Sequence, residues 1–123
     1  IIGIDAPIND MVSNKEIYAK TSLKNMSLAT SGNYRNFFEK DGKKITHSID
    51  PRYGIPVVSN IISVSVKARS CIVADAWATA LMILPFDDGL RAVTKVGGLE
   101  VLWILSEKKE GLSHFSTKGF YSR

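Results

Sequence analysis

The segment that most constrains the fold runs from residue 61 to residue 84, where a strand pattern passes into a helix pattern. Residues 61–68 contain the alternation Ile-Ser-Val-Ser-Val, which predicts a β-strand with one polar face. Ser70 can cap the helix that follows, and the mainly apolar run continues to about Leu84. We therefore expect a strand joined to a helix by a short turn.

The other predicted elements segregate into strands and a second helix. An Asp-Gly pair at residues 41–42, between strand-like runs at 34–39 and 44–49, predicts a β-hairpin. Further elements are predicted as strands over 1–4, 21–29, 99–105 and 112–117, a helix over 88–96 ended by Gly97 and Gly98, and loops over 5–14, 30–33 and 50–56. This arrangement indicates an α+β fold with a largely antiparallel sheet packed against a helical pair. The 123 residues suit a single domain.

Composition favours a globular protein. Hydrophobic residues make up 45% of the chain and charged residues 23%, so the chain is too apolar to be disordered. The net charge of +4 arises from 16 basic and 12 acidic residues, and the basic residues are scattered without an aromatic-basic motif. We therefore expect no nucleic-acid partner, although a mild positive balance could assist the binding of a phosphate-bearing ligand.

Cysteine content and hydropathy exclude other kinds of site. Cys71 is the single cysteine, so the sequence has no disulfide framework, zinc spacing or redox pair, and we expect Cys71 to pack as a small apolar residue. No apolar run reaches the roughly 18 residues of a membrane span, and no signal sequence opens the chain. Because the chain opens with Ile1 inside an apolar run, we expect a further N-terminal part of the protein.

Asp75 and Thr79 form the most informative polar pair. They lie four residues apart, and therefore on one face, in a helix of otherwise apolar residues. A carboxylate in an apolar layer is neutralised, paired or bound to a cation, and one anionic and one neutral oxygen suit Mg²⁺. The structural alternative is that Asp75 interacts with the helix dipole near the first turn, while Thr79 bonds to a carbonyl one turn earlier.

Two further segments carry candidate groups. His47 ends a predicted strand just before the turn that contains Asp50, where an imidazole can act as a general base or can pair with Asp50 at the surface. Ser31 and Gly32 end another predicted strand, where hydroxyls and backbone amides can hold a phosphate or simply form a turn. His114 has no polar constellation around it in the sequence, and we expect a structural role for it.

Together these motifs have the order and spacing of a known family. The matching residues are, in order, Thr30-Ser31-Gly32-Asn33-Tyr34, His47-x-Ile49-Asp50-Pro51-x-x-Gly54-x-Pro56, the Ser-Val-Ser-Val strand and Ala74-Asp75-Ala76-x-Ala78-Thr79-Ala80-Leu81. From about Ala29 to Leu84 the chain thereby resembles the ApbE family of flavin transferases, with weaker similarity as far as Phe120. The resemblance implies the C-terminal portion of an ApbE-like, T-fold-like domain.

The resemblance also implies an activity. ApbE-type enzymes depend on magnesium and transfer the FMN moiety of FAD to a threonine or serine of an acceptor flavoprotein through a phosphoester bond. The roles so implied are Asp75 and Thr79 as magnesium ligands, His47 as the base that activates the acceptor hydroxyl, and Ser31, Gly32 and Asp50 as residues of the flavin-nucleotide site. Attack on a pyrophosphate needs charge neutralisation by a metal and a proton acceptor, and the sequence offers a candidate for each.

The family further implies a location and two alternatives. We expect a lipoprotein of the cell envelope, in the periplasm or on the outer face of the inner membrane, attached only through an N-terminal anchor that this chain lacks. Some similar proteins hydrolyse FAD to FMN and AMP, so an FAD pyrophosphatase is one alternative. The other is a non-catalytic flavin-nucleotide-binding or scaffold module.

Overall fold

The computed structural model describes residues 1–5, 17–32, 37–40, 43–50, 55–58, 60–107 and 111–121. The described strands are β1 (Ile2–Asp5), β2 (Ile17–Thr21), β3 (Ser27–Gly32), β4 (Phe37–Lys40), β5 (Lys43–Asp50), β6 (Ile55–Val58), β7 (Ile61–Ala68), β8 (Glu100–Glu107) and β9 (Gly111–Ser116). Two helices, α1 (Cys71–Ile83) and α2 (Phe86–Val96), lie between β7 and β8 in the chain.

The central layer is a four-stranded antiparallel sheet in the order β3-β7-β8-β9. Its register places Ser31 opposite Val64 and Lys67 opposite Glu100. Strands β1 and β2 form a separate antiparallel pair, and β4, β5 and β6 form a three-stranded antiparallel sheet. The prediction of an α+β fold with a largely antiparallel sheet and two helices is confirmed.

The main hydrophobic core lies between the four-stranded sheet and the helices. Its fully buried members include Val64, Val66, Ala74, Ala78, Leu81, Val101 and Trp103. Phe86, the first residue of α2, packs edge-to-face on Trp103 with 5.0 Å between ring centroids. Gly89 allows α2 to approach closely, because a Cβ atom at this position would lie 3.0 Å from Cδ2 of Leu81. Both helices are thus held against one face of the sheet.

The opposite face of the sheet is covered as well. Ile4 of β1, Leu102 and Ile104 of β8, and Phe120 form a second buried cluster there. Every residue of β7 is consequently buried, including the alternating polar residues Ser63, Ser65 and Lys67. The polar face predicted for β7 therefore exists, but tertiary contacts that are invisible to sequence periodicity remove it from water.

The helix predictions are close to the observed boundaries. The backbone N–H of Val73 donates to Oγ of Ser70 at 3.1 Å, which confirms Ser70 as the cap of α1. Helix α2 begins at Phe86, two residues before the predicted start. It ends at Gly97 and Gly98 as predicted, and their φ angles of 70° and 78° favour glycine. Neither described helix is long and apolar enough to cross a membrane.

Some strand boundaries differ from the predictions. The strand predicted over 21–29 is two strands, because β2 ends at Thr21 and β3 begins at Ser27. The loop predicted over 30–33 starts too early, since pairing with β7 extends β3 through Gly32. Residues 55 and 56, which were predicted as the end of a turn, begin β6, and Pro56 is tolerated because β6 is an edge strand of its sheet.

Two local predictions have opposite outcomes. Strands β4 and β5 pair antiparallel around residues 41–42, which confirms the predicted hairpin. Cys71 is exposed at the first residue of α1, so the prediction that it packs as a buried apolar residue is wrong. Most of the loop predicted over 5–14, and residues 51–54 of the predicted turn, lie outside the described residues.

Candidate functional site

Asp75 and Thr79 lie together on the outer face of α1. Both residues are exposed, and they share this face with Ile72, of which 83% is exposed. The residues of α1 that are buried toward the sheet are Ala74, Ala78, Leu81 and Met82. The expectation that the pair sits inside an apolar layer is therefore wrong, because α1 is rich in apolar residues on its solvent side too.

The oxygens of this pair are not engaged within the part of the chain that the structure describes. Neither the Asp75 carboxylate nor the Thr79 hydroxyl makes a hydrogen bond or ion pair there. The first turn of α1 contains no acidic residue, so Asp75 does not serve the helix dipole. Thr94 in α2 shows the back-bond that Thr79 lacks, since its hydroxyl donates to the carbonyl of Leu90 at 2.8 Å. The structure therefore shows neither the interaction of Asp75 with the helix dipole nor the bond from Thr79 to a carbonyl one turn earlier.

Ser31 and Gly32 lie at the end of β3. Side chains alternate along a strand, and Ala29 packs against the core beneath α1, so Ser31 projects toward the same side of the sheet. Ser31 is half-buried and Gly32 is exposed. Helix α1 packs on β3 as well as on β7. The hydroxyl of Ser31 and the outer pair of α1 therefore belong to elements in direct contact.

His47 and Asp50 lie on β5, which runs antiparallel to β4 and β6. Their side chains lie outside the described part of the structure. The backbone of α1 approaches β5 as well as β3. The predicted site residues are thus distributed over three elements, α1, β3 and β5, of which α1 contacts the other two.

The donor set of Asp75 and Thr79 fits a magnesium ion. One carboxylate oxygen and one hydroxyl oxygen, both accessible and unpaired, are hard ligands of the kind that Mg²⁺ binds while it retains waters and substrate phosphates. Among the described residues, no group of three His, Cys, Asp or Glu side chains could hold a metal by itself. A magnesium ion here would need ligands beyond these side chains.

His114 has a partner that the sequence did not reveal. Its Nδ1 lies 2.9 Å from the hydroxyl of Tyr18 on β2, and the two rings meet edge-on with 5.7 Å between centroids. This contact ties β9 to the β1–β2 pair. It supports the structural role that we expected for His114.

Sequence reasoning missed a buried lysine beside a cleft. Lys67 is only 2% exposed, and burial lowers the pKa of its ammonium group, while the neighbouring Glu100 charge acts in the opposite direction. A cleft of about 370 Å³ adjoins it, lined by Ser22, Lys24, Asn25, Met26, Lys67, Glu100 and Gly119. The only signal in the sequence is that a lysine follows two serines on the polar face of β7.

Known proteins are similar to this chain in both sequence and fold. The model of the ApbE family matches residues 1–103. The FAD:protein FMN transferase of Vibrio cholerae is 36% identical over 119 residues, which are 97% of this chain and 34% of that protein. The corresponding protein of Escherichia coli K12 is 40% identical over 91 residues, or 74% of this chain and 26% of that protein.

A solved structure gives the same result. The crystal structure of the Pseudomonas stutzeri flavinyl transferase ApbE in its apo form superposes with a TM-score of 0.74 and 32% identity. The superposition covers 99% of this chain but 36% of that one. The chain therefore spans about a third or less of the length of the curated relatives it matches.

Proposed function

This chain belongs to the ApbE family, and from that membership we propose that the protein containing it is a magnesium-dependent FAD:protein FMN transferase. In the proposed reaction the hydroxyl oxygen of a threonine or serine in an acceptor protein bonds to the FMN phosphorus of FAD. The bond from that phosphorus to the oxygen shared with AMP breaks, so that AMP leaves and a phosphoester remains. The hydroxyl proton passes to a base on the enzyme.

The observation that carries this proposal is the exposed pair on α1. Asp75 and Thr79 present two oxygen ligands on one helical face, and neither is hydrogen-bonded within the described residues. We propose that they hold Mg²⁺, which when bound neutralises negative charge on the pyrophosphate. Asp75 contributes the anionic ligand, so its loss should weaken the site more than loss of the neutral Thr79 hydroxyl.

The remaining roles rest on the family pattern together with the contacts of α1. We propose His47 as the base that accepts the acceptor's hydroxyl proton, because it lies on β5, a strand that α1 approaches. Ser31, Gly32 and Asp50 are proposed to line the flavin-nucleotide site. The first two lie on β3, on which α1 packs.

The test is to incubate the full-length protein with FAD and an acceptor protein, with and without Mg²⁺. AMP is followed by chromatography, and covalent flavin by fluorescence of the acceptor in a denaturing gel. We expect AMP and flavinylated acceptor only with Mg²⁺. AMP with free FMN would indicate the FAD pyrophosphatase instead, and no magnesium-dependent product would indicate a non-catalytic flavin-binding or scaffold module.

Variants assign the roles within that assay. We expect Asp75→Asn to lower transfer about 100-fold or more, the scale seen when an electrostatic contribution to a transition state is lost. Asp87→Asn is the matched control, because Asp87 is an exposed helical aspartate in the first turn of α2. His47→Ala should retain FAD binding but lose transfer by about 100-fold. Equal rates for Asp75→Asn and Asp87→Asn would remove Asp75 from the metal site.

The family resemblance also suggests a cellular location to test. We propose a position in the cell envelope, with any membrane attachment made by an N-terminal anchor outside this chain. Fractionation of cells that express the full-length protein would test this. Recovery in the cytoplasmic fraction would contradict the proposal.

A further inference from the structure

The last described residues fold back onto the face of the sheet opposite α1. We call residues Thr117–Tyr121 the C-terminal clasp. Its first backbone N–H donates to the carbonyl of Val101 at 2.9 Å, and the N–H of Phe120 donates to the carbonyl of Thr117 at 3.2 Å. The clasp thereby places the fully buried ring of Phe120 in the second core cluster, with Ile4 of β1.

The Glu100 carboxylate accepts hydrogen bonds from two groups of the clasp. Its Oε2 accepts from the backbone N–H of Gly119 at 3.0 Å and from the hydroxyl of Thr117. The hydroxyl oxygen of Thr117 in turn accepts from the N–H of Val101 at 2.9 Å. A Cβ atom at Gly119 would lie 2.5 Å from Oε1 of Glu100, so only glycine leaves room for the carboxylate in this position.

The Lys67 ammonium group donates to a backbone carbonyl of the clasp. Its Nζ donates to the carbonyl of Phe120 at 2.7 Å and to Oγ1 of Thr21, on β2, at 3.1 Å. The Thr21 hydroxyl donates to that same carbonyl at 2.6 Å. The Nζ atom also lies 5.5 Å from the centroid of the Phe120 ring. One buried ammonium therefore joins β7, β2 and the clasp.

Lys67 and Glu100 are directly opposite each other in the pairing of β7 with β8. The acidic partner accepts from an N–H of the clasp, and the basic partner donates to a carbonyl one residue later. The charge of a buried lysine needs compensation, and here it comes from the Phe120 carbonyl of the clasp, the Thr21 hydroxyl of β2 and the nearby Glu100 charge on β8. Opening the clasp would remove one of these oxygens and leave the lysine less well compensated.

We propose that Lys67 and Glu100 act as a lock that holds the C-terminal clasp closed, and that the closed clasp docks the β1–β2 pair on the four-stranded sheet. Closure also shapes the cleft, since Lys67, Glu100 and Gly119 lie on its lining together with four residues between β2 and β3, namely Ser22, Lys24, Asn25 and Met26. Opening and closing of the clasp would therefore change the docking of β2 and the shape of the cleft together.

Hydrogen–deuterium exchange on the full-length protein tests the lock. Lys67→Met removes the ammonium and keeps an unbranched apolar side chain. We expect exchange about tenfold faster or more in peptides that cover β2 and the clasp, because the substitution removes the charge-assisted hydrogen bonds from Nζ to Thr21 and Phe120. Peptides from α1 should be unaffected. Lys118→Met is the matched control, because Lys118 is an exposed lysine within the clasp.

A second variant tests the coupling between the clasp and β2 through Glu100 instead of Lys67. It keeps the proposal testable even if Lys67→Met does not fold. Gly119→Ala pushes the Glu100 carboxylate away from the clasp without altering any atom of β2. Faster exchange in both the clasp and β2 would support the proposal. Faster exchange in the clasp alone would overturn the docking role, and unchanged exchange in both regions would overturn the lock.

Discussion

Within the described part of the chain, Lys67 lies in an unusual environment for a lysine, because it is buried. Burial lowers the pKa of its ammonium group below the ordinary value of 10.5, and the Glu100 charge counteracts this only in part. Between the folded-state pKa and the unfolded value, the unfolded chain therefore binds more protons than the folded one. By linkage, the contribution of Lys67 to the free energy of unfolding rises with pH through that interval.

This gives a prediction at the scale of one residue. The free energy of unfolding of the wild type, minus that of Lys67→Met, should increase as the pH is raised from neutral toward 10.5. Urea unfolding at a series of pH values measures the difference, and Lys118→Met should follow the wild type. A difference that is constant with pH would mean that Lys67 titrates at the same pH in the folded and unfolded states.

For Asp75 and Thr79, the sequence predicted the helical face correctly and the burial wrongly. Their four-residue spacing correctly placed both on one helical face. Their burial was wrongly expected, because an apolar composition does not reveal which side of a helix meets the sheet. Exposure removes the argument from burial, so their proposed role as ligands rests on the family resemblance and on oxygens that are accessible to a cation, water and substrate phosphates.

Helix α1 is the element that links the proposed site residues, so its stability is of functional interest. Ser70 accepts the N–H of Val73 and satisfies one of the donors left unpaired at the start of the helix. Ser70→Ala should lower the free energy of unfolding by about 1 kcal/mol. Ser70→Asp should retain most of the stability, because aspartate also caps. Urea unfolding of the three proteins gives the comparison, and equal stability of Ser70→Ala and wild type would contradict the role of the cap.

The strands differ in how well local sequence fixes their limits. Strand β7 and the β4–β5 hairpin follow from alternation and from turn chemistry, which are local properties. The end of β3 depends on its partner strand, because Thr30 and Ser31 are held in β3 by pairing with residues of β7. The hydroxyls of Thr30 and Ser65 lie 2.8 Å apart across this pairing. The turn propensities of residues 30–33 give no information about such a contact with another strand.

At the scale of the molecule, Trp103 holds the main core together. It is fully buried on β8, contacts Phe86 of α2 edge-to-face, and lies 6.1 Å from the ring of Phe115 on β9. Trp103→Ala should lower the free energy of unfolding by about 3–5 kcal/mol, because the cavity would lie between sheet and helices. Phe115→Ala is the control, since 41% of Phe115 is exposed and its removal should cost less. A similar loss in both variants by urea unfolding would argue against Trp103 as the centre of the core.

The sequence by itself determined the fold class, the capped helix after β7, the hairpin at residues 41–42 and the family, because these depend on local periodicity, turn residues and motif spacing. Tertiary structure alone decided which side of α1 faces water and that β7 is buried on both faces. It also decided that a lysine in β7 meets Phe120, 53 residues later in the chain. Such contacts join residues far apart in the chain, and their free energy depends on burial and pairing that no short segment specifies.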